Sequence, residues 1–196
     1  MTKRMNVVIL HLIFSDVFVV TGFGLIEPVM AIYLNDNLVG GSIFTAGVAS
    51  TIFLVSKSLV QLPFSRHVDT HGDQDDLRWL VRATFLFCLV PIAYIFATHI
   101  YHIFLAQLIY GIAAGIAYST WLGLWSTHLD RKRESFEWSM YSTLVSIGTA
   151  LAAIIGAALA EYVGFRTTFI AVGVVSLLGC ISLIHLKRHY PHHAPH

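Results

Sequence analysis

Two acidic side chains, Asp16 and Glu27, lie inside the first long apolar run of the sequence. They are eleven positions apart, which in an α-helix returns them almost to one face, about 16 Å apart along the axis. An acid at the centre of a membrane helix costs about 2.5–3.5 kcal/mol on insertion scales, so it normally faces a bundle interior or a water-filled cavity. We predict that Asp16, near the bilayer midplane, and Glu27, in its outer half, bind a solute or a proton. The alternative is that each is paired or protonated and has only a structural role.

A stripe of polar and aromatic side chains occupies the fourth apolar run. Its members recur every three or four positions and therefore share one helical face: Gln107, Tyr110, Ala114, Tyr118, Trp121 and Trp125. In one interpretation the stripe lines a cavity, where Gln107, Tyr110, Tyr118 and Trp121 contact the solute. An aromatic packing seam, with Trp125 in the interfacial belt, is the other. Gly111 and Gly115 beside the stripe predict close contact with a neighbouring helix.

The elements that position these side chains are predicted to be six membrane-spanning helices. Hydrophobic residues make up 56% of the 196 residues and charged residues 12%, about half the charged fraction of a soluble domain. The apolar runs reach the roughly 20 residues that a span requires, and the alternating pattern of transmembrane strands does not occur. The spans are predicted at residues 6–33, 43–63, 79–98, 102–127, 138–160 and 166–186. They make residues 1–188 an all-α, polytopic membrane domain.

Lysine and arginine predict the orientation. If the N-terminus is inside, ten of them lie at cytoplasmic ends: Lys3, Arg4, Arg66, Arg78, Arg82, Arg131, Lys132, Arg133, Lys187 and Arg188. The opposite side has Arg166 alone, a strong positive-inside bias. We therefore expect a multi-pass protein of the plasma or inner membrane with both termini in the cytoplasm. Residues 189–196, rich in histidine and proline, are predicted to be a disordered cytoplasmic tail.

Other reactive side chains are assigned structural roles. Lys57, inside the second span, is predicted to extend to the cytoplasmic surface, and an inward role as counter-ion of an acid is the alternative. Cys88 and Cys180 are predicted to be packing residues. No intramembrane nucleophile–base pair or phosphate-binding glycine loop occurs, and no span contains paired histidines at metal-ligand spacing, so we expect no enzyme, cofactor or metal site. Weak metal binding by the histidines of residues 189–196 is the alternative to a simple disordered tail. A net charge of +1 gives no indication of nucleic-acid binding.

The loop between the second and third predicted spans carries a recognisable motif. Asp69 and Gly72 occupy the acid and glycine positions of the signature small-xxx-Asp-basic-x-Gly-basic-basic, while Thr70 and Asp73 replace basic residues. With this loop, the basic run 131–133 and the turn 164–166 (Gly-Phe-Arg, close to Gly-Trp-Arg), the chain resembles the N-terminal half of a major facilitator superfamily transporter. The resemblance extends from about residue 7 to residue 188.

This resemblance implies half of a major-facilitator fold, built from two inverted three-helix repeats. It implies that spans one and four line a central path, with spans three and six outside as lipid-facing supports. It also implies an inner gate at Asp69 and Gly72, where the Asp69 carboxylate accepts backbone hydrogen bonds or pairs with Arg78 or Arg133. Gln107 stands where the family pattern has an arginine, so we assign any proton binding to Asp16. The Gly-Pro pair typical of drug antiporters is absent from the fifth span.

The implied function is secondary transport of a small solute by alternating access. Such transporters use two halves, and this chain supplies one, so we expect a parallel homodimer of half-transporters. A heterodimer with a second half-size chain, and a chain truncated from a longer one, are the alternatives. The expected partners are a small-molecule substrate, protons and membrane lipids. The competing function is a non-transporting scaffold or accessory subunit, for which the two polar stripes would meet in a dry seam.

Overall fold

The computed structural model describes residues 5–190, which form seven α-helices and no strand. The helices are α1 (Val7–Gly24), α2 (Met30–Asn37), α3 (Ile43–Val68), α4 (Asp73–Ile95), α5 (Ile100–His128), α6 (Glu134–Tyr162) and α7 (Phe165–His189). All of these except α2 are long and apolar enough to cross a membrane, which confirms the predicted all-α, six-span architecture. Residues 191–196, most of the predicted tail, lie outside the described residues.

The first predicted span is divided into two helices. α1 ends at Gly24, and the turns of residues 25–29 separate it from α2, which begins at Met30. Pro28 lies in this segment and has no backbone N–H to continue a helix. The amides of Leu25 and Val29 bond to carbonyls three residues back, at 3.2 and 3.1 Å. The span therefore contains an irregular segment, and Glu27 is part of it.

Glycines on α5 allow α3 to approach closely. A Cβ added at Gly115 would lie 2.8 Å from the carbonyl oxygen of Lys57, and one added at Gly111 would overlap the side chain of Ser56. Larger residues at either position would therefore separate the two helices. This confirms the predicted close contact beside the polar stripe.

Hydrogen bonds connect segments that are distant in the sequence at each end of the bundle. At one end the amide of Val39 donates to the carbonyl of Thr98, at 3.0 Å. At the other end Tyr190 donates to the Asp73 carboxylate at 2.8 Å and lies 3.1 Å from the ring of His128. Burial, together with the bond to Asp73, raises the pKa of Tyr190, so its phenol remains a donor.

The end that holds Tyr190 also carries most of the basic side chains. Those at or near this end are Arg66, Arg78, Arg82, Arg131, Lys132, Arg133, Lys187 and Arg188, whereas Arg166 lies in the first turn of α7 at the opposite end. Lys3 and Arg4 lie outside the described residues. The two ends thus differ in charge as predicted, and the orientation of the basic end toward the cytoplasm stays a prediction.

Burial is uneven among the six long helices. Only 17% of the most apolar stretch of α3 and 11% of that of α6 are buried, against 39–50% in the other four. α3 packs on α5, and α6 packs on α1 and α7. The expected lipid-facing supports, α4 and α7, are therefore better buried than the second and fifth spans. α3 thus packs against the bundle through α5, and α6 packs against it mainly through α1.

Candidate functional site

A cavity of about 510 Å³ lies between the central helices, and both predicted stripes line it. α1, the irregular segment 25–29, α3, α4, α5 and α6 all contribute to the lining. The side chains predicted to bind solute or proton all belong to it: Asp16, Glu27, Gln107, Tyr110, Tyr118 and Trp121. The structure thus brings these residues together, while their binding roles stay predictions.

Asp16 is held by a tyrosine from another helix. The Tyr141 hydroxyl, on α6, donates a 2.5 Å hydrogen bond to the Asp16 carboxylate. Both side chains line the cavity. Tyr141 was not among the predicted site residues, although it is the only tyrosine within the predicted fifth span. The phenol of Tyr141, in a span made mostly of small residues, was the feature of the sequence that could have identified it as a site residue.

Lys57 lines the cavity instead of extending to the membrane surface. Its ammonium nitrogen lies 5.0 Å from the centre of the Tyr118 ring, within the range of a cation–π contact. Its positive charge also acts on the Asp16 carboxylate. The predicted outward orientation of Lys57 is therefore wrong, and the inward alternative describes the structure. Lys57 lies on α3, which packs directly against α5. Its side chain therefore reaches Tyr118 on α5 without passing another helix.

Aromatic rings surround Tyr110 in another part of the cavity. Its ring stacks on Phe23 and Phe53, with centroid distances of 4.7 and 4.4 Å. Phe87 meets it edge-on at 5.0 Å. Four helical segments therefore supply a continuous aromatic surface. None of the three phenylalanines was among the predicted site residues; they come from α1, α3 and α4.

Gln107 offers an unused acceptor to the cavity. The residue is only 8% exposed, and its Oε1 has no hydrogen-bond partner among the described residues. Because buried polar atoms are nearly always paired, a donor from a ligand or a water molecule is expected here. Glu27, in contrast, is exposed where segment 25–29 borders the cavity. The two groups could therefore contact different parts of one solute.

Trp121 belongs to an aromatic seam as well as to the cavity. Its ring stacks on Trp125 at 4.8 Å and lies 5.0 Å from Tyr141. The indole nitrogen is 3.4 Å from the carbonyl oxygen of Leu12. Trp125 is 1% exposed, so it is a buried packing residue and not a member of an interfacial belt. Both interpretations of the stripe thus apply, to different residues.

The predicted gate residues do not form the expected ion pairs. Asp69 is exposed at the C-terminal end of α3, and its carboxylate makes no hydrogen bond or ion pair with any other described residue. The expected pairing with Arg78 or Arg133 is therefore absent from this part of the chain. Gly72 has φ −92°, which any residue adopts, so the turn does not require glycine. The gating role of these four residues stays a prediction.

A different acid of the same region is buried. Asp76, in the first turn of α4, is 3% exposed, and its Oδ1 has no hydrogen-bond partner within residues 5–190. Neighbouring Asp75 lies 3.1 Å from His67. Asp76 precedes the predicted third span and was not among the predicted site residues. A carboxylate one turn outside an apolar run can still be covered by the adjoining helix, here α5 near Gly123.

Comparisons with known proteins place the chain beside membrane transporters. Residues 12–196 match the family model described as Major Facilitator Superfamily. Two similar proteins are described as "Multi-drug resistance efflux pump PmrA", from Streptococcus pneumoniae serotype 4 and Streptococcus pneumoniae strain R6. Each is 25% identical over 173 residues, covering 87% of this chain and 42% of the relative. The chain therefore spans less than half the length of these relatives.

Proposed function

This chain belongs to the major facilitator superfamily, and we propose that it is a secondary transporter that moves a small solute across the membrane by alternating access. The observation that carries the proposal is that the polar stripes of α1 and α5 face one cavity of about 510 Å³. Small-molecule sites usually have volumes of about 300–1,000 Å³. A dry seam between the stripes would have favoured a scaffold or accessory subunit, the second candidate.

The charged part of the cavity supports a role in binding solute or protons. Asp16 is held by Tyr141 and has Lys57 as a nearby positive charge. A proton or a cationic group of the solute can exchange with Lys57 as the partner of the carboxylate, because all three groups line the open cavity. Such an exchange makes binding reversible, as transport requires.

The aromatic part of the cavity supports a solute with an apolar or aromatic portion. Tyr110, Phe23, Phe53 and Phe87 present ring faces and edges to the cavity. Such rings favour flat apolar groups by stacking or edge-to-face contact. The two similar proteins are described as multi-drug efflux pumps, and we extend export of such a solute to this chain as a proposal.

The working assembly is proposed to contain two six-helix bundles around one path, as two parallel copies of this chain. α3 and α6 are the least buried of the six long helices and expose apolar side chains, which supports a contact between the two bundles through these helices. Pairing by a two-fold axis is the commonest arrangement of homo-oligomers. Cysteines introduced singly at the exposed positions Leu59 and Ile147 should crosslink in nanodiscs. A chain that is monomeric there would contradict the homodimer and favour a separate second bundle.

Transport by reconstituted protein tests the proposed function. We expect proteoliposomes with the purified chain to accumulate a fluorescent aromatic cation when a pH gradient is imposed. Asp16→Asn should abolish this accumulation. Asp36→Asn is the matched control, because it removes an exposed acid that does not line the cavity. Accumulation by the wild-type chain no greater than that of protein-free liposomes, in a preparation crosslinked as a dimer, would favour the scaffold.

A further inference from the structure

Three histidines from the first and last helices form a histidine cluster at the basic end of the bundle. The centre of the His11 ring, on α1, is 5.7 Å from that of His185 on α7, and the His185 and His189 rings are 4.3 Å apart. None of the three lines the central cavity, or the second cavity of about 550 Å³ that lies where the chain passes from α5 to α6. The proposed transport function does not involve this cluster.

The spacing of His185 and His189 is that of a chelating pair. Side chains four positions apart share one face of a helix, and two histidines so placed can bind one zinc ion. The predicted sixth span ends at residue 186, which divides the two histidines between a span and a tail. In the structure α7 continues to His189, so the pair belongs to one regular helix and both side chains are exposed.

The hydrogen bonds of the cluster engage Nδ1 atoms and leave Nε2 atoms for a ligand. The Nδ1 atom of His189 lies 3.0 Å from the carbonyl oxygen of His185, which can only accept, so Nδ1 carries the proton. In a neutral imidazole the Nε2 atom then has a lone pair to offer. The Nδ1 atom of His11 is engaged as well, 3.0 Å from the hydroxyl oxygen of Ser182. Metal-binding histidines are usually oriented by such a bond at the nitrogen that does not bind the metal.

The distances between the rings are close to those around a shared metal ion. A Zn–N bond of about 2.1 Å and a ring radius of about 1.1 Å place the metal about 3.2 Å from each ring centre. Ligand angles of about 90–110° then separate two ring centres by about 4.5–5.2 Å. The observed 4.3 and 5.7 Å lie on either side of this range. No three possible ligands within residues 5–190 are arranged to hold an ion as they stand, so binding requires the exposed rings of α7 to shift by about 0.5 Å.

The ligand set selects the class of metal. Within residues 5–190 no carboxylate forms an ion pair or a hydrogen bond with any of the three histidines. Mg²⁺ and Ca²⁺ require oxygen ligands and therefore do not fit, whereas imidazole suits Zn²⁺, Ni²⁺ and Cu²⁺. Helical geometry places Lys187 on the opposite face of α7 and Arg188 about a quarter of a turn aside, so neither positive charge lies between the ligands.

We infer that His185 and His189 chelate a divalent transition-metal ion such as Zn²⁺, and that His11 completes the site from α1. Water occupies the remaining coordination position. Ser182 is a positioning residue, because its hydroxyl holds the His11 ring through Nδ1. All protein ligands come from α1 and α7, so the ion joins the helix that carries Asp16 to the last helix of the bundle.

Binding of Zn²⁺ to the full chain, purified in detergent micelles without a polyhistidine tag, tests this inference. Equilibrium dialysis measures the affinity, and circular dichroism measures the melting temperature. At a Zn²⁺ concentration about a hundred times the dissociation constant, we expect the melting temperature to rise by about 5–10 °C, because a site shared by two helices exists only in the folded chain. Mg²⁺ at the same concentration should produce no rise.

Substitutions test each member of the cluster. His185→Gln and His189→Gln, both at exposed positions, should remove the rise in melting temperature and weaken Zn²⁺ binding by about 100-fold or more. His11→Gln should do the same, and the two exposed variants keep the test decisive if His11→Gln fails to fold. Ser182→Ala should weaken binding about tenfold without changing the melting temperature of the metal-free chain. Ser182→Thr, which keeps the hydroxyl, should retain the wild-type affinity.

The remaining C-terminal histidines provide the control. The triple variant His192→Ala/His193→Ala/His196→Ala should retain both the affinity and the rise in melting temperature. If it loses Zn²⁺ binding while His185→Gln retains it, the metal is bound by residues 191–196 and the inference is wrong. Zn²⁺ binding without a rise in melting temperature would also overturn it, because ligands that do not depend on the fold bind the folded and unfolded chains alike. The same holds if the wild-type chain binds no Zn²⁺.

Discussion

Removal of the Tyr141 hydroxyl tests whether Asp16 is a charged and positioned group of the cavity. Tyr141→Phe keeps the ring, which packs 5.0 Å from Trp121 and 6.0 Å from Trp138. It deletes the 2.5 Å hydrogen bond to the carboxylate. Hydrogen bonds to charged groups contribute about 1.5–3 kcal/mol. Since 1 kcal/mol changes the melting temperature of a chain of this size by about 2–4 °C, we expect a decrease of about 3–12 °C.

The control is another tyrosine of the same cavity. Tyr118→Phe keeps the ring beneath Lys57 and removes a hydroxyl that makes no hydrogen bond within residues 5–190. Its effect on the free energy of unfolding should stay within about 0.5 kcal/mol. In the presence of Asp16→Asn, Tyr141→Phe removes only a neutral hydrogen bond, of about 0.5–1.5 kcal/mol. The loss should then be about half as large. Unfolding in mixed micelles is followed by circular dichroism as SDS is added. It measures the change in free energy of unfolding for Tyr141→Phe, Tyr118→Phe, Asp16→Asn and the double variant Asp16→Asn/Tyr141→Phe.

Two outcomes would refute the reasoning. If Tyr141→Phe costs no more than Tyr118→Phe, the hydrogen bond to Asp16 does not contribute to folding. If Tyr141→Phe costs the same with and without Asp16→Asn, the carboxylate is uncharged in the folded protein. It would then not be the electrostatic partner of Lys57, and the proposed exchange of cations at this site would fail.

Three further predictions concern the mechanism and the topology. Asp16→Asn should leave the protein folded, because the amide oxygen still accepts a hydrogen bond from Tyr141. It should abolish the pH dependence of solute binding from about pH 5 to 8, measured in a fluorescence titration. An unaltered pH profile would contradict the role of Asp16. Cysteines placed at Asn37 and at Gln74 should react with an impermeant maleimide from opposite sides of the membrane, with Asn37 outside; reaction from the same side contradicts the six-span topology. Asp69→Asn should lower transport severalfold and change the free energy of unfolding by less than about 0.5 kcal/mol, since the side chain is exposed. Full transport with unchanged stability would show that the gating prediction is wrong.

The faces of single helices were predictable from the sequence. Asp16 and Glu27, eleven positions apart, and the stripe from Gln107 to Trp121 all border the cavity that the structure contains. Periodicity in one helix determines which side chains share a face. The cost of exposing acids and amides to lipid then determines that this face points inward. Both steps require only local information, which explains why this part of the site could be predicted.

Contacts between helices were not predictable in the same way. Tyr141 reaches Asp16 from α6, and Phe53 and Phe87 reach Tyr110 from α3 and α4. These contacts depend on the rotation and height of each helix relative to its neighbours, which no single-helix pattern contains. Lys57 illustrates the limit. The hydropathy of its span is compatible with a Lys57 side chain that extends to the membrane surface or one that enters the cavity. The close approach of α3 to α5 determines which orientation occurs.

The division of the first span and the burial of acids at helix ends were missed for a related reason. Pro28 is compatible with a kink, but whether the chain resumes a helix at Met30 depends on what packs around residues 25–29, where Leu25, Ile26 and Val29 are buried. Glu137 and Asp76 lie outside or at the edge of the apolar runs, so hydropathy assigns them to water. The structure covers them with neighbouring elements, which hydropathy alone does not register.

α6 connects the two cavities and is the least buried of the six long helices. Glu137 borders the cavity at the basic end, and Tyr141, one turn further on the same face, borders the central one. Because packing covers so little of α6, the hydrogen bond from Tyr141 to Asp16 carries a larger share of its positioning than it would in a buried helix. Trp138 lies between Glu137 and Tyr141, and its fluorescence should respond to Asp16→Asn if the position of this turn depends on that hydrogen bond.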